Sequence, residues 1–237
     1  METPYGTVEP TIGKLANREL VFMSRHGRNH AVPPHLVNYR ANIWALRKLG
    51  VRKILATAAV GSLSSNFRSG EMVLIDQFLD FTKSRSQTFY EGGQQGVLHV
   101  DMSEPYCSAV RQVIMVASEQ LGYVVKNGAC YVCTEGPRFE TPAEIRMFQT
   151  FGAELVGMTS VPEVVLAREL GMCYASIALV TNEAAGIATH PLSHAEVMES
   201  MKKLSEKVAQ LIQLTMELWT PGQDCLCASA NVEVGKF

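Results

Sequence analysis

Short apolar segments of two different periods alternate along this chain, and that alternation constrains the fold more than any other feature of the sequence. Apolar residues recur with helical spacing over 36–49, and Gly50 stands where such a helix should end. The run 54–60, by contrast, is continuously apolar and ends in Gly61, as a buried strand does. Because strands and helices alternate in the same way further along, the sequence predicts an α/β fold with a largely parallel central sheet.

Three predicted helix starts share a capping signature in which a hydroxyl residue precedes a glutamate by three positions. The hydroxyl can accept from a backbone N–H of the first turn while the glutamate bonds back to the cap. These boxes begin at Thr141, Ser160 and Ser193, and Pro142 occupies the first helical position of the first box. The other predicted elements are a strand at 71–81, a helix at 105–121, strands at 123–133, 154–158 and 172–180, and a last helix at 195–218.

Length and composition favour one domain without a nucleic-acid or membrane partner. With 237 residues, 47% hydrophobic and 19% charged, the chain can bury a full core, so we assign 1–220 to a single domain and 221–237 to a polar carboxy-terminal tail. A net charge of −2 disfavours nucleic acid, which selects basic surfaces. No apolar run reaches the roughly 18 residues that span a bilayer, and the first residues do not resemble a signal peptide. We therefore expect a cytoplasmic protein.

The six cysteines predict buried thiols more than a metal or redox site. The motif Cys130-x-x-Cys133 has the spacing of a zinc half-site or a redox pair. It lies in an apolar strand, however, and no second pair of cysteines has metal-like spacing. We expect free buried thiols there and at Cys107 and Cys173, with no metal bound. The motif Cys225-x-Cys227 lies in the polar tail, where a disulfide is optional.

Two segments that follow or end apolar runs have the composition of an anion site. The segment 25–30 begins with Arg25 and His26, and an arginine can fork onto phosphate oxygens. A solvated loop of basic residues is an equally good interpretation of that segment alone. The turn at 58–62, which contains Ala59, leaves backbone N–H groups open at a strand end. Its small residues would also serve close packing.

Four further residues near strand ends could form a site for a planar ligand, and each has an ordinary structural alternative. Phe139 could stack on a ring or belong to the core, and Glu140 could bind a ligand, cap a helix or face solvent. Met158 could line a site or fill a gap, and Asn182 could bind a ligand or form a turn. Their arrangement in one region favours a site that stacks a purine, reads its edge and holds a ribose.

The chain also contains four longer motifs: Arg25-His26-Gly27, Val37-Asn38-Tyr39-Arg40-Ala41-Asn42-Ile43-Trp44-Ala45-Leu46, Glu135-Gly136-Pro137-Arg138-Phe139 and Met158-Thr159-Ser160-Val161-Pro162-Glu163. With them the chain resembles the trimeric phosphorylases that cleave purine nucleosides, in particular the branch containing methylthioadenosine phosphorylase, from about residue 2 to residue 219. The resemblance implies a three-layer α/β subunit whose mixed sheet is flanked by helices, a homotrimer with a hexamer as the alternative, and no metal or cofactor. It also implies a role in purine salvage, in which phosphate attacks the anomeric carbon to give free base and ribose 1-phosphate.

The resemblance assigns the phosphate site to Arg25, His26, the Ala59 amide and the Thr159 hydroxyl. Members of the family also begin with an apolar strand and a glycine-rich loop that holds phosphate, and this chain has no such segment. A sheet without that strand would leave edge groups unpaired. Three explanations stay open: the functional protein starts earlier, another segment fills the gap, or phosphate binding is impaired. The last would make the protein a non-catalytic nucleoside-binding relative.

The same resemblance places Phe139 on the base and Met158 beside the ribose. The resemblance also implies that His99 reaches across the trimer interface toward the 5′ substituent of the nucleoside. A single subunit would then be an incomplete enzyme. His194 falls where methylthioadenosine enzymes have an apolar side chain and ordinary purine nucleoside phosphorylases have a histidine for the 5′-hydroxyl. Taken alone, each of these histidines is most simply a surface or loop residue.

Two positions determine which base the resemblance implies. Methylthioadenosine enzymes have an aspartate at the position of Asn182 and a small residue at that of Glu140. An asparagine can donate to N7 and to a 6-oxo oxygen, and a carboxylate can accept from the N1–H of hypoxanthine or guanine. A 6-amino group would leave unmet bonds, each costing ~1–3 kcal/mol. We expect a phosphorylase of inosine and guanosine. The alternative is methylthioinosine or methylthioadenosine phosphorylase; the first of these is favoured because segments 2–6 and 182–186 look like the methylthioinosine enzyme.

Overall fold

The computed structural model describes residues 1–15, 18–188, 194–219, 225–230 and 234–235. Its α-helices are α1 Tyr39–Lys48, α2 Ser108–Gln120, α3 Pro142–Thr150, α4 Ser160–Glu169 and α5 His194–Leu218. Short 3-10 helices lie at Arg28–His30, Pro34–Leu36, Gly93–Gln95 and Leu226–Ser229. The strands are β1 Glu2–Thr3, β2 Gly6–Thr7, β3 Thr11–Leu15, β4 Arg18–Phe22, β5 Lys53–Ser62, β6 Met72–Leu74, β7 Gln77–Phe81, β8 Val97–Leu98, β9 Val125–Asn127, β10 Cys130–Thr134, β11 Leu155–Gly157, β12 Cys173–Glu183 and β13 Val234–Gly235.

Seven of these strands form the central sheet, in the order β7-β10-β11-β5-β12-β6-β9. Four neighbouring pairs are parallel, and the pairs β11–β5 and β12–β6 are antiparallel. The strands β3 and β4 form a separate antiparallel hairpin. The predicted mixed, largely parallel sheet is therefore confirmed.

Helices cover both faces of the sheet, and β12 shows how the sequence builds this layered core. Side chains alternate between the two faces of a strand. On β12, Tyr174 and Val180 pack in one hydrophobic cluster with residues of α1 and α4, whereas Ile177 and Leu179 pack in a second cluster with residues of α2 and α5. A strand apolar on both faces is thus buried on both, as its continuous apolar sequence predicts. Within the described ranges, no helix is long and apolar enough to cross a membrane.

One edge of β5 is largely unpaired in the described part of the chain. Along its whole length β5 pairs with β12, but on its other edge only Gly61 and Ser62 pair, with β11. Several residues from Lys53 to Ala59 are accordingly half-buried or exposed although the strand lies mid-sheet. This open edge lines a large cavity that also contacts β4.

Two predicted strands are each broken in two. Segment 71–81 forms β6 and β7, and segment 123–133 forms β9 and β10. The two segments stay side by side, as the parallel pairs β6–β9 and β7–β10, while they pass from one edge of the sheet to the other. Gly128 allows the second break, because its φ is +99° and a Cβ there would lie 3.0 Å from Asp76 Oδ2.

Only one of the three predicted capping boxes is confirmed. At Thr141 both reciprocal bonds to Glu144 are present. The box predicted at Ser160 is wrong, because Thr159 is the N-cap of α4 and the Ser160 hydroxyl bonds Tyr106 Oη at 2.6 Å. The residue that would complete that box, Glu163, instead faces Arg25. The box predicted at Ser193 lies outside the described residues.

All six cysteines are free thiols, so the optional tail disulfide is not formed in this structure. Cys107, Cys133 and Cys173 are buried as predicted, whereas Cys130 is only half-buried. Beyond α5, Cys227 is buried against the domain.

Candidate active site

A cavity of about 1410 Å³ lies beside β5 and reaches the loops that follow β10, β11 and β12. Parallel sheets bind ligands at such strand ends. Eight of the ten predicted site residues line this cavity: Arg25, His26, Ala59, Phe139, Glu140, Met158, Thr159 and Asn182. The other two do not contribute described side chains to it. His99 is exposed and follows β8, and His194 begins α5 but its side chain lies outside the described part.

The guanidinium of Arg25 forms a bidentate ion pair with Glu163. Nε lies 2.5 Å from Oε1 and Nη2 lies 2.8 Å from Oε2, while Nη1 donates to the Thr57 carbonyl at 3.1 Å. Tyr174 also donates to Glu163, at 2.8 Å. Burial alone would lower the pKa of Arg25, but the Glu163 carboxylate raises it above its ordinary value. Arg25 is therefore always a cation and is held in a fixed plane.

Arg25 still has hydrogen-bond donors to offer a ligand. A guanidinium has five N–H groups, and three are used by Glu163 and Thr57. One N–H on each terminal nitrogen remains. Because Glu163 and Thr57 fix the orientation of the guanidinium, these two N–H groups are preorganised donors for an oxyanion in the cavity.

The surroundings of His26 favour the neutral form of its imidazole ring. Burial lowers its pKa, and the cation of Arg25 adds to that effect. Its Nδ1 lies 2.8 Å from the Val32 carbonyl, so Nδ1 carries the proton and Nε2 is the acceptor of the neutral ring. A neutral His26 suits a protonated phosphate oxygen, which can donate to Nε2.

Ala59 and Thr159 are two smaller residues that line the same cavity. Ala59 lies opposite Leu179 in the β5–β12 ladder, and its side chain is exposed to the cavity. Thr159 is the N-cap of α4, yet its side chain makes no capping bond, while its backbone N–H donates to Tyr131 Oη at 3.1 Å. The phosphate roles of both residues stay predictions.

Glu140 is a buried carboxyl group that lines the same cavity. It is only 9% exposed, and Thr134 Oγ1 donates to its Oε1 at 2.6 Å. Burial raises the pKa of Glu140, and the Thr134 hydrogen bond offsets only part of that effect. The second oxygen is left for a donor from a ligand, and a ligand N–H there would stabilise the ionised form.

Asn182 faces the cavity from the end of β12, where the β5–β12 register shifts between Val180 and Asn182. Such a bulge re-aims the side chain that follows it. The Thr181 hydroxyl donates to Asn182 Oδ1 at 2.8 Å, and Nδ2 donates to the Glu183 carbonyl at 2.8 Å. Because the Glu183 carbonyl can only accept, it fixes which amide atom is nitrogen, and one Nδ2 hydrogen remains for a ligand.

Phe139 and Met158 supply the apolar part of the cavity. Phe139 is 39% exposed, which leaves a ring face available for stacking. Met158 packs against Gly136, whose φ is +68° and where a Cβ would lie 2.6 Å from Met158 Sδ. Glycine at 136 therefore allows the loop carrying Phe139 to lie against Met158.

Comparison with known proteins identifies the family that shares these features. Residues 1–216 match the model of the phosphorylase superfamily. The chain belongs to this superfamily. It is 52% identical to a probable 6-oxopurine nucleoside phosphorylase of Moorella thermoacetica, over 99% of this chain and 91% of the relative. It is 50% identical to a probable S-methyl-5′-thioinosine phosphorylase of Methanopyrus kandleri, over 96% and 88%. Methylthioadenosine phosphorylase from Schistosoma mansoni in complex with adenine superposes with a TM-score of 0.91 at 34% identity, over 98% and 88%.

Sequence reasoning missed a positioning residue of this phosphorylase, Arg85. Its side chain is 1% exposed. Nη1 donates to the carbonyls of Met158 and Val161 at 2.8 and 2.6 Å, and Nη2 donates to those of Thr134 and Glu135 at 3.1 and 2.8 Å. One guanidinium thus holds together the segments that follow β10 and β11. The surrounding sequence is a polar loop and gives no sign of this burial.

Glu163 was also missed as a partner of Arg25, because its position three residues after Ser160 fits a capping box. The signal that could have found it is its place in the motif 158–163 beside apolar residues. A carboxylate in that setting needs a cation when it is buried.

The raised pKa of Glu140 predicts that the folded state of the ligand-free phosphorylase loses stability as pH rises. Because the folded-state pKa lies above the unfolded one, this group stabilises the fold fully only below its unfolded pKa, and that contribution is lost as pH rises through the folded pKa. We expect Glu140→Gln to raise Tm relative to the wild type by an amount that grows from pH 4 to pH 7. Thermal unfolding of both proteins across that range checks this, and a pH-independent difference would contradict it.

Proposed function

We propose that this phosphorylase cleaves 6-oxopurine nucleosides, inosine and guanosine, with inorganic phosphate. The observation that carries the proposal is the presence of a buried carboxyl group, Glu140, and a free amide N–H, on Asn182, in one cavity with Phe139. An acceptor for N1–H and a donor for N7 are what the edge of hypoxanthine or guanine requires. The name of the Moorella thermoacetica relative supports the same substrate class.

The base-recognising groups also account for catalysis. Glycosyl transfer passes through an oxocarbenium-like transition state, so negative charge grows on the departing purine. A hydrogen bond from Asn182 to N7 strengthens as that charge develops and stabilises the transition state more than the ground state. Glu140 fixes the base through N1–H, and Phe139 stacks on its face.

Phosphate would bind to the remaining predicted residues that line the cavity, Arg25, His26, Ala59 and Thr159. Two free N–H groups of Arg25 and the Thr159 hydroxyl would donate to phosphate oxygens, and His26 would accept a phosphate proton. The Ala59 amide would add a backbone donor. Phosphate held beneath the anomeric carbon reacts as though it were intramolecular, so much of the rate gain comes from orientation.

A single substitution should change the preferred base. In Asn182→Asp, a protonated carboxyl group can donate to N7 and accept from a 6-amino group, so the ratio of kcat/KM for inosine to that for adenosine should fall by about tenfold to a hundredfold, as 1–3 kcal/mol per unmet bond implies. Steady-state kinetics with both nucleosides measures the ratio. If wild type and variant gave the same ratio, Asn182 would not read the base.

A coupled xanthine oxidase assay with inosine tests the reaction itself. The proposal predicts hypoxanthine release that requires phosphate. A non-catalytic nucleoside-binding relative would bind inosine or hypoxanthine but release no base with or without phosphate, and that outcome would overturn the proposal.

The 5′ substituent has a second candidate, the methylthio group, which is favoured by the 50% identity to the Methanopyrus kandleri relative. Running inosine, guanosine, methylthioinosine and methylthioadenosine in parallel distinguishes the two. We expect the highest kcat/KM for inosine and guanosine. Higher values for methylthioinosine would keep the 6-oxopurine assignment and reverse the 5′ assignment.

The assembly and cellular role are further parts of the proposal. A homotrimer would allow His99 of one subunit to reach the nucleoside bound by the next, and purine salvage in the cytoplasm fits the reaction. Light scattering of the purified protein tests the assembly, with a trimer expected and a hexamer as the alternative. A monomer with full activity would rule out a shared site.

A further inference from the structure

Three tyrosines are fully buried in the core, and the hydroxyl group of each one contacts the beginning of α4. The tyrosines are Tyr106, Tyr131 and Tyr174. Their contacts are Tyr131 Oη with the Thr159 N–H at 3.1 Å, Tyr106 Oη with the Ser160 hydroxyl at 2.6 Å and Tyr174 Oη with the Glu163 carboxylate at 2.8 Å. Burial raises the pKa of all three hydroxyl groups, so each remains a neutral group that needs a hydrogen-bond partner. None of the three lines the cavity, so they do not touch a ligand there.

The first residues of α4 depend on these contacts, because the helix does not hold them itself. The first N–H groups of a helix have no partner within it, and the Thr159 side chain supplies no capping bond. Val161 is also non-helical, with φ −110° and ψ 129°. Gly157 lets Tyr131 come close, since a Cβ at this position would lie 2.6 Å from Tyr131 Oη. The beginning of α4 is therefore held from outside the helix.

Two of the three contacts lead to groups that face the cavity. Tyr131 holds the Thr159 N–H, while the Thr159 hydroxyl makes no capping bond and is left for a ligand. Tyr174 donates to Glu163 Oε2, the oxygen that also accepts from Arg25 Nη2. Because Thr159, Glu163 and Arg25 all line the cavity, the two tyrosines act on its polar groups from behind.

We propose that Tyr131 and Tyr174 are positioning residues for phosphate binding, an inference that rests on the phosphorolysis proposed above. Tyr131 fixes the turn that carries the Thr159 hydroxyl. Tyr174 fixes Glu163 and, through it, the plane of the Arg25 guanidinium. Donors that are already held in place bind and orient an anion better than mobile donors, because less ordering remains to be done when the anion binds.

Removing one oxygen atom from each tyrosine tests the inference. Tyr131→Phe and Tyr174→Phe should each raise KM for phosphate by about twofold to tenfold, the effect of one net hydrogen bond, with little change in KM for inosine. Tyr106→Phe is the matched control, because it removes an equally buried oxygen whose partner, Ser160, does not line the cavity. Its KM for phosphate should stay unchanged. An equal rise in all three variants, or no rise in the first two, would overturn the inference.

Isothermal titration calorimetry of the full chain with inorganic phosphate makes the same comparison without turnover. Kd should rise by the same factor in Tyr131→Phe and Tyr174→Phe and stay unchanged in Tyr106→Phe. This order of affinities in a protein that releases no base would keep the positioning role and refute the proposed reaction. Base release without this order would refute the positioning role alone, and a wild type that binds no phosphate would refute both. Because the two variants are separate, failure of one to fold leaves the other as the test.

Discussion

Replacing Asn182 by alanine should lower kcat for inosine by about 10²–10³-fold with a much smaller change in KM, as the loss of one donor to a developing anion does in other enzymes. The side chain donates to the Glu183 carbonyl and accepts from Thr181, so its remaining N–H is preorganised. That donor contributes mainly in the transition state, where N7 becomes anionic. Steady-state kinetics with saturating phosphate measures the effect.

A second substrate separates this role from a general structural defect. In 7-methylguanosine N7 is methylated, and the base leaves without becoming anionic there. Asn182→Ala should therefore lower kcat by less than about tenfold with this substrate, because no donor contribution to an anionic N7 is lost. Asn66→Ala is a matched control, because Asn66 is exposed and does not line the cavity. Equal losses with inosine and 7-methylguanosine would show that Asn182 does not stabilise the leaving base.

Glu163→Gln should destabilise the protein by about 3–5 kcal/mol, the usual cost of removing one partner of a buried ion pair. The side chains of Arg25 and Glu163 are 16% and 7% exposed, and both carboxylate oxygens bond the guanidinium. The variant should also raise KM for phosphate, since Arg25 would lose its fixed orientation. Urea denaturation and phosphate-saturation kinetics measure the two effects.

Two further variants show whether the cost comes from the unpaired charge. In the exposed pair between Arg28 and Glu9, Glu9→Gln should cost no more than about 1 kcal/mol. The double variant Arg25→Met/Glu163→Leu should recover much of the lost stability but no activity. If Glu163→Gln were no more destabilising than Glu9→Gln, the pair would not hold Arg25 in place.

Local signals in the sequence predicted the elements well, and non-local partners explain the errors. The box at Thr141 forms because all its bonds lie within one helical turn. The identical pattern at Ser160 fails because Tyr106, 54 positions away, takes the hydroxyl, and Arg25, 138 positions away from Glu163, takes the carboxylate. Spacing along the chain contains no information about such partners.

The candidate site could be predicted only through strand ends and motif resemblance. The sequence puts Glu140, Met158 and Asn182 near strand ends, where α/β folds bind ligands. Strand direction alone does not bring them together, because β11 runs antiparallel to β5; they meet because β11 pairs only with Gly61 and Ser62 at the end of β5. Arg85 could not be found in that way, because its burial depends on carbonyls from several loops. The same holds for the three buried tyrosines, whose contacts with α4 only the folded chain creates.

A crystal structure with hypoxanthine and phosphate would test the account most directly. We expect the purine ring on Phe139, N1 within about 3 Å of a Glu140 oxygen and N7 within about 3 Å of Asn182 Nδ2, the usual hydrogen-bond distances. Phosphate should contact Arg25. A base bound outside this cavity, or bound in it without contacting both Glu140 and Asn182, would contradict the assignment to 6-oxopurine nucleosides.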